Sequence, residues 1–233
     1  MPPLAAGRSL GKGTPMDPEF WRERWQAGQI GFHRSTANPL LARHWDALGL
    51  EPGAPVLVPL SGKSLDLWWL RERGHPVLGV ELSEIAVQAF FAEAGLQPVR
   101  AKAGEFEVWE AEGVRVLQGN VFHLRPEHLA SIGGVYDRAA LIALPPDLRA
   151  AYVRALERLL PAEARILLVA FETEPGGPGG PPFAVTEADV RALYEPAFRV
   201  DVLERGDPAE PGPNIRARGV ESCVDVVYAL RRR

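Results

Sequence analysis

Apolar positions along this chain change rhythm near residue 55. Before that point they fall at helical spacing. Residues 18–30 (PEFWRERWQAGQI) place Trp21 and Trp25 at i and i+4, on one face of a short helix. Pro18 suits a first helical turn, and Gly28 suits a stop. Gly31-Phe32-His33 follows, then a second helix over roughly 38–49 (NPLLARHWDALG). From residue 55 short apolar runs alternate with helical patterns: PVLVPL, a helix at 64–73, PVLGVEL, and a helix at 83–94. VRVLQGNVF, VYDRAAL, a helix at 146–160, ARILLVAFE, a helix at 186–195, FRVDVLE and CVDVVYAL complete the series. Near-continuous apolar strands separated by helices imply βαβ units and a mostly parallel sheet covered on both faces. GEFEVWEAEGVRVL predicts a hairpin turning at Glu112-Gly113. The Gly/Pro-rich stretch 175–182 follows a strand and is expected to form an active-site loop rather than a domain boundary. A second irregular stretch, 206–214, divides the last two strands.

Composition narrows the classes. With 233 residues, 46% hydrophobic and 24% charged, the chain suits one soluble α/β domain, expected over 17–233 with 17–50 as a helical N-terminal lid. Residues 1–16 are expected to be a mobile lead-in. A net charge of -4 argues against a nucleic-acid partner. A single cysteine, Cys223, excludes an intramolecular disulfide framework and a zinc-cysteine cluster. No apolar run approaches the ~18 residues needed to span a bilayer, and the first residues lack a signal-peptide core, so a cytoplasmic location without membrane partners is expected. No HExxH, Ser-His-Asp order or paired metal-ligand spacing is present, so no metal is expected.

Chemistry concentrates where the first two apolar strands end. In open α/β sheets ligands bind beyond the carboxyl ends of the strands, where strand order reverses. The first strand ends in Val58-Pro59-Leu60-Ser61-Gly62-Lys63-Ser64 and opens into a helix, where Gly62 allows close backbone approach. The second ends in Val80-Glu81. Glu81 stands 21 positions after Leu60, near the roughly 20-residue spacing at which an acid meets a ribose diol. A P-loop would need glycine where Leu57 stands, and dinucleotide binding would need two further glycines. A glycine-poor loop without a pyrophosphate cradle suits a nucleoside-sulfonium cofactor.

Six motifs in order resemble the thiopurine S-methyltransferase family: Trp21-x-x-x-Trp25, Gly31-Phe32-His33, Pro59-Leu60-Ser61-Gly62-Lys63, Gly74-His75-x-Val77-x-Gly79-Val80-Glu81-x-Ser83-Glu84, Tyr136-Asp137-Arg138-Ala139-Ala140-Leu141 and Gly180-Pro181-Pro182-Phe183. They span about residue 17 to the C-terminus. The resemblance implies a Rossmann-like, doubly wound, mostly parallel seven-stranded sheet with an antiparallel last strand and helices on both faces. It also implies S-adenosyl-L-methionine as cofactor and a monomer. Trp21, Leu60 and Gly62 would line the cofactor site, with Glu81 on the ribose and Asn120 and Val121 flanking the adenine. Arg138 would face the methionine carboxylate or the active centre and act electrostatically in catalysis. Phe32 resembles the aromatic wall of the acceptor site, Trp25 would close the lid, and Arg216 and Arg218 are candidates for acceptor binding. Ser61 stands where the family often has cysteine, a change between two small residues that should preserve the turn.

The bland alternatives are concrete. Trp21, Trp25 and Phe32 could serve as core, Arg138 could pair with Asp137, and Glu81 could be a solvated strand-end acid. His33 is expected to pack or cap rather than act as a base, and His75, before a strand and away from the ligand edge, is expected to be structural. The functional expectation is methyl transfer to the sulfur of a small aromatic or heterocyclic thiol. The alternatives keep fold and cofactor with a halide, selenium, tellurium, oxygen or nitrogen acceptor, or retain the pocket without turnover.

Overall fold

A computed structural model describes residues 18–174, 177 and 179–233; the expected lead-in 1–16, Asp17, and 175, 176 and 178 of the Gly/Pro-rich loop lie outside the described residues. The apolar runs become strands β1 (Val56–Pro59), β2 (Val77–Glu81), β3 (Val99–Ala103), β4 (Phe106–Ala111), β5 (Val114–Gln118), β6 (Gly134–Arg138), β7 (Arg165–Glu174), β8 (Phe198–Arg205) and β9 (Ser222–Arg232). The helices are α1 (Pro18–Gln26), α2 (Pro39–His44), α3 (Asp66–Glu72), α4 (Glu84–Glu93), α5 (Pro126–Leu129), α6 (Ala140–Ala143), α7 (Pro146–Leu159), α8 (Glu187–Tyr194) and α9 (Pro213–Arg216). The expected second helix ends early: after α2 the chain tightens into a 3₁₀ turn, Trp45–Leu48, closed by Gly49 in the left-handed region.

One sheet contains all these strands, in the order β3-β4-β5-β2-β1-β6-β7-β9-β8. Strands β5, β2, β1, β6 and β7 run parallel, β9 lies antiparallel to β7, and β8 antiparallel to β9. Those seven make the sheet with the reversed strand that the resemblance implies. The described sheet is nine-stranded rather than seven-stranded, because β4 and β3 extend it antiparallel beyond β5. The β4–β5 hairpin turns where expected, with Glu112 and Gly113 both at positive φ, the geometry of a type I′ turn. Strand β3 (VRAKA) alternates apolar and basic residues but is exposed along its length, and Arg100 and Lys102 place charge on an outer edge that must not pair with another chain.

Side chains alternate between two buried clusters, one on each face. Along β1, Leu57 joins Tyr152, Val153 and Leu156 of α7, whereas Val56 and Val58 join Leu67 and Leu70 of α3 and Phe90 of α4. Along β7, Ile166, Leu168 and Ala170 face the first cluster and Leu167 and Val169 the second. This period of two on a doubly covered sheet explains why the central strands are apolar throughout. His75 is structural, as its position before β2 suggested. Its Nδ1 lies 2.8 Å from the Ala54 carbonyl, and its Nε2 accepts from Trp45 Nε1 at 3.0 Å.

The VYDRAAL run divides. Ala139 takes φ +78°, and the chain turns from β6 into α6. Asp137 holds that corner: fully buried, it accepts from the Leu141 N–H at 3.1 Å and from the Tyr152 hydroxyl at 2.7 Å. Burial pushes its carboxyl up to about 6, against the opposing effect of these hydrogen bonds.

Two predictions follow from this packing. His75→Ala leaves Trp45 Nε1 and the Ala54 carbonyl without their partner, and should lower stability by about 2–4 kcal/mol; chemical denaturation within 1 kcal/mol of wild type would refute that account. For Asp137 the folded carboxyl holds its proton more tightly than the unfolded one. Its contribution is therefore full below the ordinary carboxylate range and lost as pH rises through about 6. Asp137→Asn keeps an acceptor for Leu141 and removes the ionisation. Between acid and neutral pH, its stability relative to wild type should rise by up to about 3 kcal/mol. Parallel pH profiles of the two proteins would contradict the assignment.

Candidate active site

The strand order reverses between β1 and β6: the chain runs outward from β1 through β2 to β5, then returns to place β6 on the other side of β1. The carboxyl ends of β1, β2, β5 and β6 deliver Leu60, Glu81, Asn120 and Arg138 to one wall of a cleft. Segment 28–34, Pro181, Pro182, the turn after α9 and Asp225 complete its lining. The cleft encloses about 1290 Å³, above the roughly 300–1,000 Å³ of a single-ligand pocket. Two small molecules can share it.

Backbone geometry at the strand ends is unusual. Leu60 and Ala139, neither a glycine, adopt φ +48° and +78° at the ends of neighbouring strands. Strain of this kind survives only where surrounding contacts hold it. At the β1–α3 turn the hold is Glu81. Its Oε2 accepts from the Gly62 N–H at 2.8 Å, and its Oε1 accepts from the Ser83 N–H at 2.8 Å. Burial raises its pKa, while hydrogen bonds from Ser83, Gly62 and Leu82 N–H groups counter the shift. Glu81 is therefore not a solvated strand-end acid. Each oxygen keeps acceptor capacity beyond its single backbone partner, and the carboxylate lines the cleft.

Gly62 adopts φ +54°, and a Cβ there would sit 3.3 Å from Trp25 Cζ2. The loop glycine thus serves two needs, a left-handed turn and the seating of α1 on the sheet. Phe32 packs edge-to-face against both tryptophans, with ring centroids 6.1 Å from Trp21 and 5.7 Å from Trp25. Trp25 is buried, whereas Phe32 is partly exposed, so the cluster combines core packing with an open aromatic wall. Asn120 caps the 3₁₀ turn after β5, accepting from the Phe122 N–H at 3.0 Å, and Val121 lines the cleft beside it. Lys63 of the Gly-Lys-Ser triplet is held by Glu93 at 2.5 Å.

Arg138 does not pair with Asp137, which is committed to Tyr152 and Leu141. Its side chain makes no hydrogen bond or ion pair among the described residues and lines the cleft. His33 stands nearby; burial first, and then Lys63 and Arg138, lower its pKa and favour the neutral ring. Of the two candidate arginines near α9, Arg218 lines the cleft and donates to the Pro181 carbonyl at 3.1 Å. Arg216 does not line it; its guanidinium meets Glu210 instead. Residues two apart on a helical turn point to nearly opposite sides, so only one of the pair can face inward.

The cleft also contains residues that the linear sequence did not bring forward: Arg24, Arg34, Asn214 and Asp225. Burial raises the Asp225 pKa, and Arg138 and Arg34 oppose that rise. Arg24 carried a legible signal, since it lies between Trp21 and Trp25 in the lid helix. Asp225 lay inside an apolar strand pattern and had none.

The residues present fit an adenosyl sulfonium cofactor: an anchored buried carboxylate with free acceptor capacity and a glycine cradle under an indole. Comparisons agree. The Thiopurine S-methyltransferase (TPMT) family profile matches residues 16–233. Thiopurine S-methyltransferase from Pseudomonas entomophila is 48% identical over 217 residues, covering 93% of this chain and 100% of that protein. The Nitrosospira multiformis protein of the same name is 44% identical over 218 residues, covering 94% and 99%. In fold, the chain is similar to Burkholderia thailandensis 1,6-didemethyltoxoflavin-N1-methyltransferase bound to S-adenosylhomocysteine, with TM-score 0.65, 20% identity and coverage of 99% and 93%. A methyltransferase from Anabaena variabilis gives TM-score 0.63 at 15% identity, covering 93% and 95%. With the site geometry and these matches together, the chain belongs to the thiopurine S-methyltransferase family of S-adenosylmethionine-dependent methyltransferases.

Proposed function

We propose that this enzyme methylates the sulfur of small aromatic or heterocyclic thiols. The observation that carries the reading is a single cleft lined by an anchored carboxylate, an aromatic cluster and an arginine that makes no hydrogen bond or ion pair among the described residues. Bound S-adenosylmethionine supplies an electrophilic methyl group on a sulfonium. Glu81 would accept hydrogen bonds from the ribose hydroxyls, its orientation set by Gly62 and Ser83 N–H groups. Asn120 and Val121 would flank the adenine, with Trp21, Leu60 and Gly62 along the same wall.

The chain supplies no nucleophile of its own in this reading. Its residues align the acceptor and exclude water, which is what an in-line displacement requires. Phe32 and Trp25 would cover a flat acceptor, and aromatic faces near a cationic sulfur contribute about 0.5–2 kcal/mol. Arg138, beside Asp225 and without an ion pair, would favour the thiolate over the thiol by its charge. His33 is favoured as a neutral ring, so it can accept a hydrogen bond without adding charge. Arg218 would contact the acceptor, and Arg216, engaged by Glu210, is left out of the site.

Cofactor and acceptor roles separate experimentally. Calorimetric titration should show S-adenosylhomocysteine binding at micromolar affinity or tighter, and no response to NAD. Glu81→Ala should weaken that binding by about 1–3 kcal/mol, the scale of lost hydrogen bonds to a charged group; an unchanged affinity would remove Glu81 from the ribose. Turnover across thiol, selenium, tellurium, halide, hydroxyl and amine acceptors under equal conditions tests the acceptor class, and preference for a non-sulfur acceptor would overturn it. Arg138→Gln should lower kcat for a thiol by about tenfold or more, with most of the loss recovered at a pH where the free thiol is ionised. A loss independent of pH would mean that Arg138 does not act on the thiolate.

A further inference from the structure

The chain carries a net charge of -4, yet its cleft is basic: among the described residues lining it are Arg24, Arg34, Arg138 and Arg218 against Glu81 and Asp225. These charges are not evenly matched. Glu81 spends its charge on backbone N–H groups, and Asp225 lies in the field of Arg138 and Arg34. Among the described residues, Arg24 and Arg218 have no such counterpart.

Both elements concerned pair their outward arginines and leave the inward ones bare. On α1, Arg22 meets Glu19 at 3.3 Å, while among the described residues Arg24 meets no carboxylate and its buried Nε finds no hydrogen-bond partner. At α9, Arg216 meets Glu210, while Arg218 donates to the Pro181 carbonyl and meets no carboxylate among the described residues. The Arg24 guanidinium lies over the Phe20 ring, 4.6 Å from its centroid, which orients it without neutralising it. Burial, and then the positive charge of Arg218, lower the Arg24 pKa, so the two cations feel each other across the cleft. Two guanidiniums that line one cleft, neither ion-paired among the described residues, can hold a planar oxyanion, because each fork can donate two parallel hydrogen bonds. Arg218 lies against the Pro181 carbonyl, and both arginines line the same cleft as Glu81 and Asn120.

We propose that the acceptor bears an anionic substituent, a carboxylate or comparable oxyanion, held between Arg24 and Arg218. The inference rests on the sulfur-acceptor reading and narrows it: the acceptor is a thiol acid, and the arginine pair discriminates it from a neutral thiol of the same ring.

The test uses the full chain with S-adenosylmethionine and two acceptors, thiophenol and 4-mercaptobenzoate, at a pH where both sulfurs are ionised. The quantity read is the ratio of kcat/KM for the carboxylate-bearing acceptor to that for thiophenol. Partial misfolding or a damaged lid cancels in this ratio. Arg24→Gln and Arg218→Gln should each lower it by about tenfold or more, the size expected for a lost charge-assisted hydrogen bond. Arg24→Lys should recover part of it. A ratio constant within about twofold of wild type in both Gln variants would overturn the proposal. So would a raised KM for S-adenosylmethionine at constant ratio, which assigns the pair to the cofactor carboxylate. Wild-type enzyme that methylates neither thiol would overturn the sulfur-acceptor reading itself, and this inference with it. Turnover of thiophenol with no response of the ratio defeats only the anionic substituent.

Discussion

The buried carboxylate of Glu81 is the constraint on which the site geometry depends. A desolvated charge at the end of β2 costs several kcal/mol unless polar groups surround it. Here the compensation comes from N–H groups of two different loops, Gly62 after β1 and Ser83 at the start of α4. One side chain therefore ties neighbouring strand ends together and shapes the turn in which Leu60 and Gly62 take positive φ. Trp25 then packs where a Cβ on Gly62 would intrude, and Phe32 packs on Trp25. The lid helix is in this way seated on the same loop that the carboxylate organises.

A second buried acid does comparable work at the neighbouring strand. Asp137 turns toward α7 and spends its acceptors on Tyr152 and the first turn of α6. Because successive strand residues point to opposite faces, Arg138 is left to the cleft without its neighbour as counter-ion. The result is an electropositive cleft in an acidic chain. Such a cleft is suited to holding an acceptor in its anionic form, the form in which a thiol is most nucleophilic. In the reading proposed here, the cofactor is oriented by an acid and the acceptor is selected by arginines.

The architecture was written into the linear pattern to a large extent. Apolar runs separated by helices specified the parallel core, because a sheet covered on both faces requires apolar residues at every position. The Glu112-Gly113 turn followed from its need for positive φ at both residues. Glu81 could be singled out because a strand end and a spacing of about 20 residues are both properties of the chain in one dimension. Strand β3 could not. It is a short exposed edge, recruited by pairing with β4 rather than by burial. The break at Ala139 was equally hidden, since alanine gives no sign of the left-handed backbone it adopts.

Charge placement in the cleft needed three dimensions. Arg216 and Arg218 are equivalent on paper, and only the turn after α9 sends one to Glu210 and the other to the cleft. Arg24 was visible as a residue of the lid helix, but its lack of a counter-charge depends on how that helix faces a turn far along the chain. Asp225 sits in an apolar strand pattern that marks it as ordinary. Periodicity and local spacing are short-range quantities and can be read along a sequence. Whether a charge is paired or bare depends on what the fold brings opposite it.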